Sequence, residues 1–177
     1  MKWNPFGFSG QTYDLSHLHP FEMEVVVPVK DGKPEQAFPF LVEFSLHCFT
    51  RTIEAGDSAA LEYSDNRETR TFCFDRHRLS RHLPKIIREI GTKQCSHTGQ
   101  GNFFIVELID HRGLPVEYEV YFDVSRKSKA KGRMKLFVQS AYVRDAAGQA
   151  YRPNPKRIRF HVIAYNTKIG KPIKIPR

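Results

Sequence analysis

The sequence predicts an α+β fold: a predominantly antiparallel sheet of six or seven strands with one principal amphipathic helix packed on one face. Three observations carry that prediction. Apolar and polar residues alternate in segments spread along the chain, the period-two pattern of half-buried strands. One stretch, DRHRLSRHLPKIIREI at 75–90, has a helical stripe instead. From residue 103 onward, strand-like segments follow one another with no helix between them, which implies an antiparallel meander. At 177 residues, 40% hydrophobic and with 14 phenylalanines, the chain can bury a sizeable core as a single domain, 1–177.

The elements follow in order. Residues 1–20 are aromatic, polar and glycine-containing and read as an irregular arm. FEMEVVVPV (21–29) is a first strand, closed by the turn KDGKPEQ. In FLVEFSLHCFT (40–50), Phe40, Val42, Phe44, Leu46 and Cys48 point one way, and Leu41, Glu43, Ser45, His47 and Phe49 the other. AGDSAALEYSDNRE (55–68) is loop-like, and TRTFCF (69–74) is a short strand that completes the N-terminal strands, 21–74. At 75–90, Asp75 is placed to cap a helix, and Leu79, Leu83, Ile86, Ile87 and Ile90 form its buried stripe. Pro84 cannot sit inside a continuous helix, so two short pieces are expected, the second opened by Pro84 and stopped at Gly91. The meander over 102–166 comprises FFIVELID (103–110), VEYEVYFDV (116–124), MKLFVQSAYV (134–143) and RIRFHVIAYN (157–166), with a basic tail at 167–177.

Charge is the most informative bulk property. Net charge is +9, yet residues 1–69 hold five basic residues against eleven acidic ones, so the rest of the chain carries +15. From Tyr151 to Arg177 there are eight basic residues and no acidic one. Such asymmetry implies a polyanionic partner, most simply nucleic acid and RNA before DNA, with an acidic protein as the second choice. No apolar run is long enough for a membrane span, and MKWNPFGFSG lacks the apolar core of a signal peptide. Three cysteines outside any CxxC pair (Cys48, Cys73, Cys95) point to reduced thiols and a cytoplasmic location.

Two segments are expected to hold the phosphates. Arg78, Arg81, His82 and Lys85 line the polar side of the helix as like charges stacked without acidic partners. Arg126, Lys127, Lys129, Lys131 and Arg133 crowd the loop SRKSKAKGRMK, with Lys135 at its end. Both flank one sheet, so a single continuous positive surface is expected.

For chemistry, His47 shares a strand face with Glu43 and Ser45, Arg51 follows shortly after, and His77 opens the helix. Two imidazoles and a guanidinium suit metal-independent RNA cleavage, moving the 2′-hydroxyl and leaving-group protons and stabilising charge on the phosphate. Ser140 and Tyr142 share the face of Met134, Leu136 and Val138 and read as partly buried. Metal ligation is not indicated. CSH (95–97) and HLH (17–19) have no second pair at zinc spacing, and the row Glu117, Glu119, Asp123 reads as a solvent face. No P-loop, GxSxG or paired GxGxxG is present, so no cofactor is expected.

From about Asn102 to Asn166, the element order resembles the barnase–colicin–RelE-like group of small ribonuclease toxins, which lay a helix on an antiparallel meander and cleave RNA without metal. FVQSAYV is similar to the small-residue and aromatic strand ending of that group. The resemblance implies Ser140 and Tyr142 as site residues and an antitoxin as a possible partner. It departs in order, since two or three strands precede the helix here. The expected function is therefore an RNA-binding, toxin-like or phage-associated ribonuclease, with a non-catalytic nucleic-acid-binding or adaptor protein as the alternative.

Overall fold

The computed structural model describes residues 2–29, 34–126, 132–143 and 156–174. Its first twenty residues are not an irregular arm. β1 (Phe6–Phe8) and β2 (Gln11–Tyr13) pair as a hairpin whose two-residue turn, Ser9 and Gly10, has φ of 48° and 75°. Two consecutive left-handed residues match the right-handed twist of the flanking strands, and glycine adopts that conformation without strain. The arm is fastened by its apolar side chains: Trp3, Phe6, Leu15 and Leu18 are all buried.

β3 (Phe21–Val27) and β4 (Gln36–Phe44) form an antiparallel pair. The alternation expected over 40–50 stops at Phe44. Ser45 then accepts a hydrogen bond from the backbone N–H of His47 and caps a 3-10 turn, Leu46–Cys48. β5 (Thr50–Arg51), β6 (Glu62–Ser64) and β7 (Thr69–Phe72) make a small antiparallel sheet in the order β5-β7-β6. It closes over an aromatic cluster in which Phe6 stacks on Phe72 at 4.1 Å between ring centroids and Trp3 meets Phe49 at 5.3 Å.

The helical stretch breaks where Pro84 requires it. α1 (Phe74–Ser80) and α2 (Leu83–Arg88) are separate pieces, with Pro84 in the first turn of α2, where a missing N–H costs no intrahelical bond. The residue before α1 is Cys73; Asp75 lies inside the first turn and binds Arg78 and Arg112 instead of capping. All five stripe residues are buried, worth roughly 1.5–3 kcal/mol each.

β9 (Phe103–His111), β10 (Leu114–Arg126) and β11 (Met134–Val143) form the expected meander, and β8 (Gln94–His97), in a stretch that reads as a glycine-rich loop, adds a strand paired with β9. The seven-stranded sheet has the order β12-β8-β9-β10-β11-β4-β3, where β12 is Lys156–Arg159. Every pairing is antiparallel except β11 with β4, which is parallel. The sheet curls. Edge strand β3 reaches the 3-10 turn Ile90–Thr92, where a Cβ on Gly91 would lie 2.8 Å from Val25 Cγ1, and β8 near the opposite edge starts just after that turn.

The C-terminal segment corrects the expectation of a strand over 157–166. Only Lys156–Arg159 is strand; Phe160–Ile169 is a helix, α3, closed by Gly170 at φ 72°. Phe160, Ile163 and Ala164 are its buried residues, at helical spacing. Phe160 packs on Phe40 and Phe122, with ring centroids 5.5 and 6.1 Å away, inside the curl. The α+β class therefore holds, with a second helix in the core.

Candidate nucleic-acid interface

The proposed catalytic residues each have a closed set of partners. His47 lies in the 3-10 turn, not on a strand face with Glu43, and its Nε2–H donates to Glu68 Oε1 at 2.7 Å. That bond, with Arg70 beside it, holds the Glu68 carboxyl below the usual range. Arg51 is engaged at both ends of the Asp57 carboxylate, one contact being 2.7 Å, and donates to the Thr52 carbonyl. Asp57 also accepts from Thr71 and from the backbone of Glu54, so this group fastens the 52–57 loop to the small sheet. His77 is 5% exposed and packs against Tyr13 and Phe72, and its Nε2–H donates to the Asp14 carbonyl at 2.9 Å. Burial lowers its pKa. Among the described contacts, no two of these three side chains touch.

Ser140 and Tyr142 are not on the face of Met134, Leu136 and Val138. β11 shifts register against β10 between Tyr121 and Phe122: Tyr121 pairs with Ser140, Phe122 with Val138, and Gln139 is the extra residue. One inserted residue turns everything beyond it to the other face. Ala141 now points into the core, and Ser140 and Tyr142 lie half-buried on the outer face. There Tyr142 stacks on Tyr121 at 5.7 Å, Tyr121 on Phe104 at 5.3 Å, and the Arg76 guanidinium covers Tyr142 at 5.3 Å. Arg76 is itself pinned by the carbonyls of His47 and Thr50. Glu119 is not at a solvent face either: it is fully buried and accepts from the Tyr121 hydroxyl at 2.7 Å. Burial, reinforced by Tyr142 and Glu119, raises the pKa of that hydroxyl.

Of the two basic segments, the described parts lie apart at Arg78 and Arg126. Arg78 shares Asp75 with Arg112 and lies 3.2 Å from His111 Nδ1, which ties α1 to the hairpin before β10. Arg126 is at the far end of that thirteen-residue strand, about 40 Å along it. Lys85 is exposed on α2, and Arg81 and His82 are exposed in the break between α1 and α2 rather than on a helix face. Arg133, counted among the phosphate contacts, pairs with Glu22 at 2.8 Å. Arg126 is exposed beside Gly170 at the C-terminal end of α3, the end where a cation is favoured. Lys127, Lys129 and Lys131 lie outside the described residues.

What residue-by-residue reading missed is the C-terminal unit. Lys156, Arg157, Arg159, Lys168, Lys171 and Lys174 are all exposed, and none has an ion-pair partner among the described residues. The signal was the acid-free run from 151 to 177. Also missed was a cleft of about 660 Å³ on the outer face of the main sheet, with Glu43, Asp123, Lys135 and Phe137 among its lining residues. Their position opposite Leu136 and Val138 is the signal for it.

A family model described as the YjaZ family matches residues 5–168. The chain belongs to the YjaZ family. Protein YjaZ of Escherichia coli (strain K12) is 32% identical over 180 residues, an alignment that covers 99% of this chain and 96% of that protein. No solved structure matches. The resemblance to ribonuclease toxins over 102–166 is thereby overturned: the match runs through nearly the whole chain and leads to a different family. The geometry departs as well, because the meander continues into a parallel partner, β4, and FVQSAYV contains the register shift. No helix among the described residues is long and apolar enough to cross a membrane. The three cysteines are free thiols, and burial pushes Cys48 and Cys95 up to about 12.

Proposed function

We propose that this protein binds nucleic acid without cleaving it, RNA being the first ligand to test, and that β12 and α3 supply the main contact. What supports the reading is the set of six exposed cations at Lys156, Arg157, Arg159, Lys168, Lys171 and Lys174, which have no counter-charge among the described residues. Six like charges without acidic partners repel one another unless a polyanion neutralises them. On β12, Arg157 and Arg159 share one face while Ile158 anchors the strand in the core, so the charges sit on a rigid support at the edge of the sheet. Cleavage is left out of the proposal because His47, Arg51 and His77 are each committed to a different partner.

The test is fluorescence anisotropy with a labelled 20-nucleotide RNA across a salt series. Replacing Lys156, Arg157 and Arg159 together by alanine should weaken binding and reduce the salt slope by about 2, since each phosphate contact to a single strand contributes roughly 0.7. The same RNA should be recovered intact after incubation in EDTA; products ending in a 2′,3′-cyclic phosphate would restore a cleavage role. An unchanged slope in the triple variant would remove this surface from the interface. Absence of binding even at low salt would leave an acidic protein partner as the reading.

A further inference from the structure

Helix α3 is apolar on two opposite sides. Phe160, Ile163 and Ala164 face the core, and at about 100° per residue Val162, Tyr165 and Ile169 fall together on the far side. Those three are 37%, 44% and 51% exposed. Apolar side chains scattered singly over a surface are ordinary. Three at i, i+3 and i+7 on one helix make a ridge about 10 Å long. The opposite face serves the core, so this ridge is left facing water.

Cations bracket the ridge at both ends. Arg157 and Arg159 precede the helix on β12, and Arg159 is the residue immediately before its first turn. At the other end, Lys168 lies 5.3 Å from the Phe38 ring centroid, Gly170 turns the chain, and the Arg126 guanidinium lies beside that glycine. Lys171 follows, its backbone N–H donating to the Asn166 carbonyl at 2.9 Å, which fixes the reversal. Acids on the neighbouring elements are directed or engaged elsewhere. The elements packed most closely on α3 are β10, β12 and the Ile90–Thr92 turn, and β12 carries no acid. Glu117, Glu119 and Asp123 of β10 alternate with Tyr118, Val120 and Phe122, so they lie on the sheet face away from Phe160. Glu89, just before the turn, is engaged by Lys93 at 3.5 Å. Glu43 of β4, the strand that carries Phe38, is held by Lys135.

We infer that this ridge is a stacking platform for the bases of a single strand, whose phosphates sit on the cations at its ends; the inference rests on the nucleic-acid reading above. A ligand for this surface has to be anionic at both ends of the helix and apolar between them. A single strand is both, because its bases are free to turn from the phosphates and lay an unpaired face on an aromatic ring. Tyr165, in the middle of the ridge, supplies the ring, and Val162 and Ile169 add apolar contact on either side. A duplex keeps its bases paired and stacked, so it meets the cations and leaves the ridge wet. The platform therefore gives a preference for single strands that the basic charges alone would not give.

The experiment titrates a labelled ten-nucleotide single-stranded RNA, and the duplex of the same sequence, with the full-length protein and follows anisotropy. Tyr165→Ala should weaken single-strand binding at least about fivefold. It should leave duplex binding unchanged, and also the salt slope, because no phosphate contact is lost. Tyr165→Leu keeps an apolar side chain without the ring and should lose affinity in the same way, whereas Tyr165→Phe should retain it. Tyr165 is exposed on the side away from the core, so these changes leave the packing of α3 in place. Wild-type single-strand affinity in Tyr165→Ala and Tyr165→Leu, or an equal loss for single strand and duplex, would overturn the platform while leaving the basic surface of β12 intact. Sedimentation with phosphatidylglycerol vesicles tests the competing occupant: vesicle binding abolished by Tyr165→Ala, with single-strand affinity retained, would assign the ridge to a lipid surface instead. If neither RNA binds at low salt, the nucleic-acid reading itself fails, and this inference with it.

Discussion

Acidification through the histidine range tests how the N-terminal segment is fastened to the first helix. His17 donates from Nε2 to Ser80 Oγ at 2.7 Å, and the Ser80 hydroxyl in turn donates a hydrogen bond to the His77 carbonyl at 2.7 Å. The His77 ring is 5.7 Å from that of His17 and bonds back to Asp14. Burial first, then repulsion from His77 and Arg81, lowers the pKa of His17 to about 4, and burial lowers that of His77. Both folded values lie below the ordinary 6.5, so on acidification the unfolded chain takes up protons first. Stability is fully present above about pH 6.5 and declines as pH falls toward 4. At pH 5 the protonation difference at His17 corresponds to about 2 kcal/mol, or about 1–1.5 kcal/mol after discounting for the ring's partial contact with water. His77 adds to it in the same direction. Urea midpoints at pH 7.5, 6.5, 5.5 and 5.0 measure the decline. The carboxylates Asp57 and Glu68, held low by Arg51 and His47, lose their contribution only in a more acidic window. His17→Gln keeps a donor for Ser80 and removes the titration, so its midpoint should fall less steeply. A wild-type midpoint constant from pH 7.5 to 5, or a parallel decline in His17→Gln, would refute the reasoning.

Two further outcomes concern packing. Gly91→Ala should cost about 1–3 kcal/mol in thermal melting, because the added Cβ would lie 2.8 Å from Val25 Cγ1, and adding Val25→Ala should recover part of the melting temperature relative to the sum of the single changes. Pro84→Ala should lower stability by less than about 1 kcal/mol, since the residue occupies a position that needs no N–H donor and the change mainly frees the unfolded chain; a larger loss would mean that the break between α1 and α2 depends on the ring.

How much was legible in the sequence divides along local and non-local lines. The stripe Leu79, Leu83, Ile86, Ile87, Ile90 and the break at Pro84 are local, and both were readable. So was the alternation of β11 as far as Val138. The register shift at Gln139 is fixed by what β10 offers opposite it, and no pattern within FVQSAYV announces that. Phe160 to Asn166 read as strand because β-branched and aromatic residues dominate there; the competing signals, apolar positions 160, 163 and 164 at helical spacing and a terminating Gly170, were present and underweighted. The hairpin at the start had a Ser-Gly turn between aromatic segments, a signal that composition alone obscured. At the site, charge counting found the cationic C-terminal region, but the acidic partners of Arg133 and His47 come from Glu22 and Glu68, distant in sequence and brought close only by folding.

The parallel pairing of β4 with β11 also governs the order of events during synthesis. Phe40 waits for Met134, 94 positions later (134 − 40). At 5–20 residues per second, the ribosome needs about 5–20 s to make the intervening chain. Throughout that interval, Phe38, Phe40, Val42 and Phe44, all buried in the finished molecule, lack the neighbour that covers one edge of their strand. Contacts this distant in sequence slow the search for the native topology. The emerging N-terminal half is accordingly the stage at which a holdase would find an apolar strand to grip, and at which heat during translation would cause aggregation before it could unfold the completed protein.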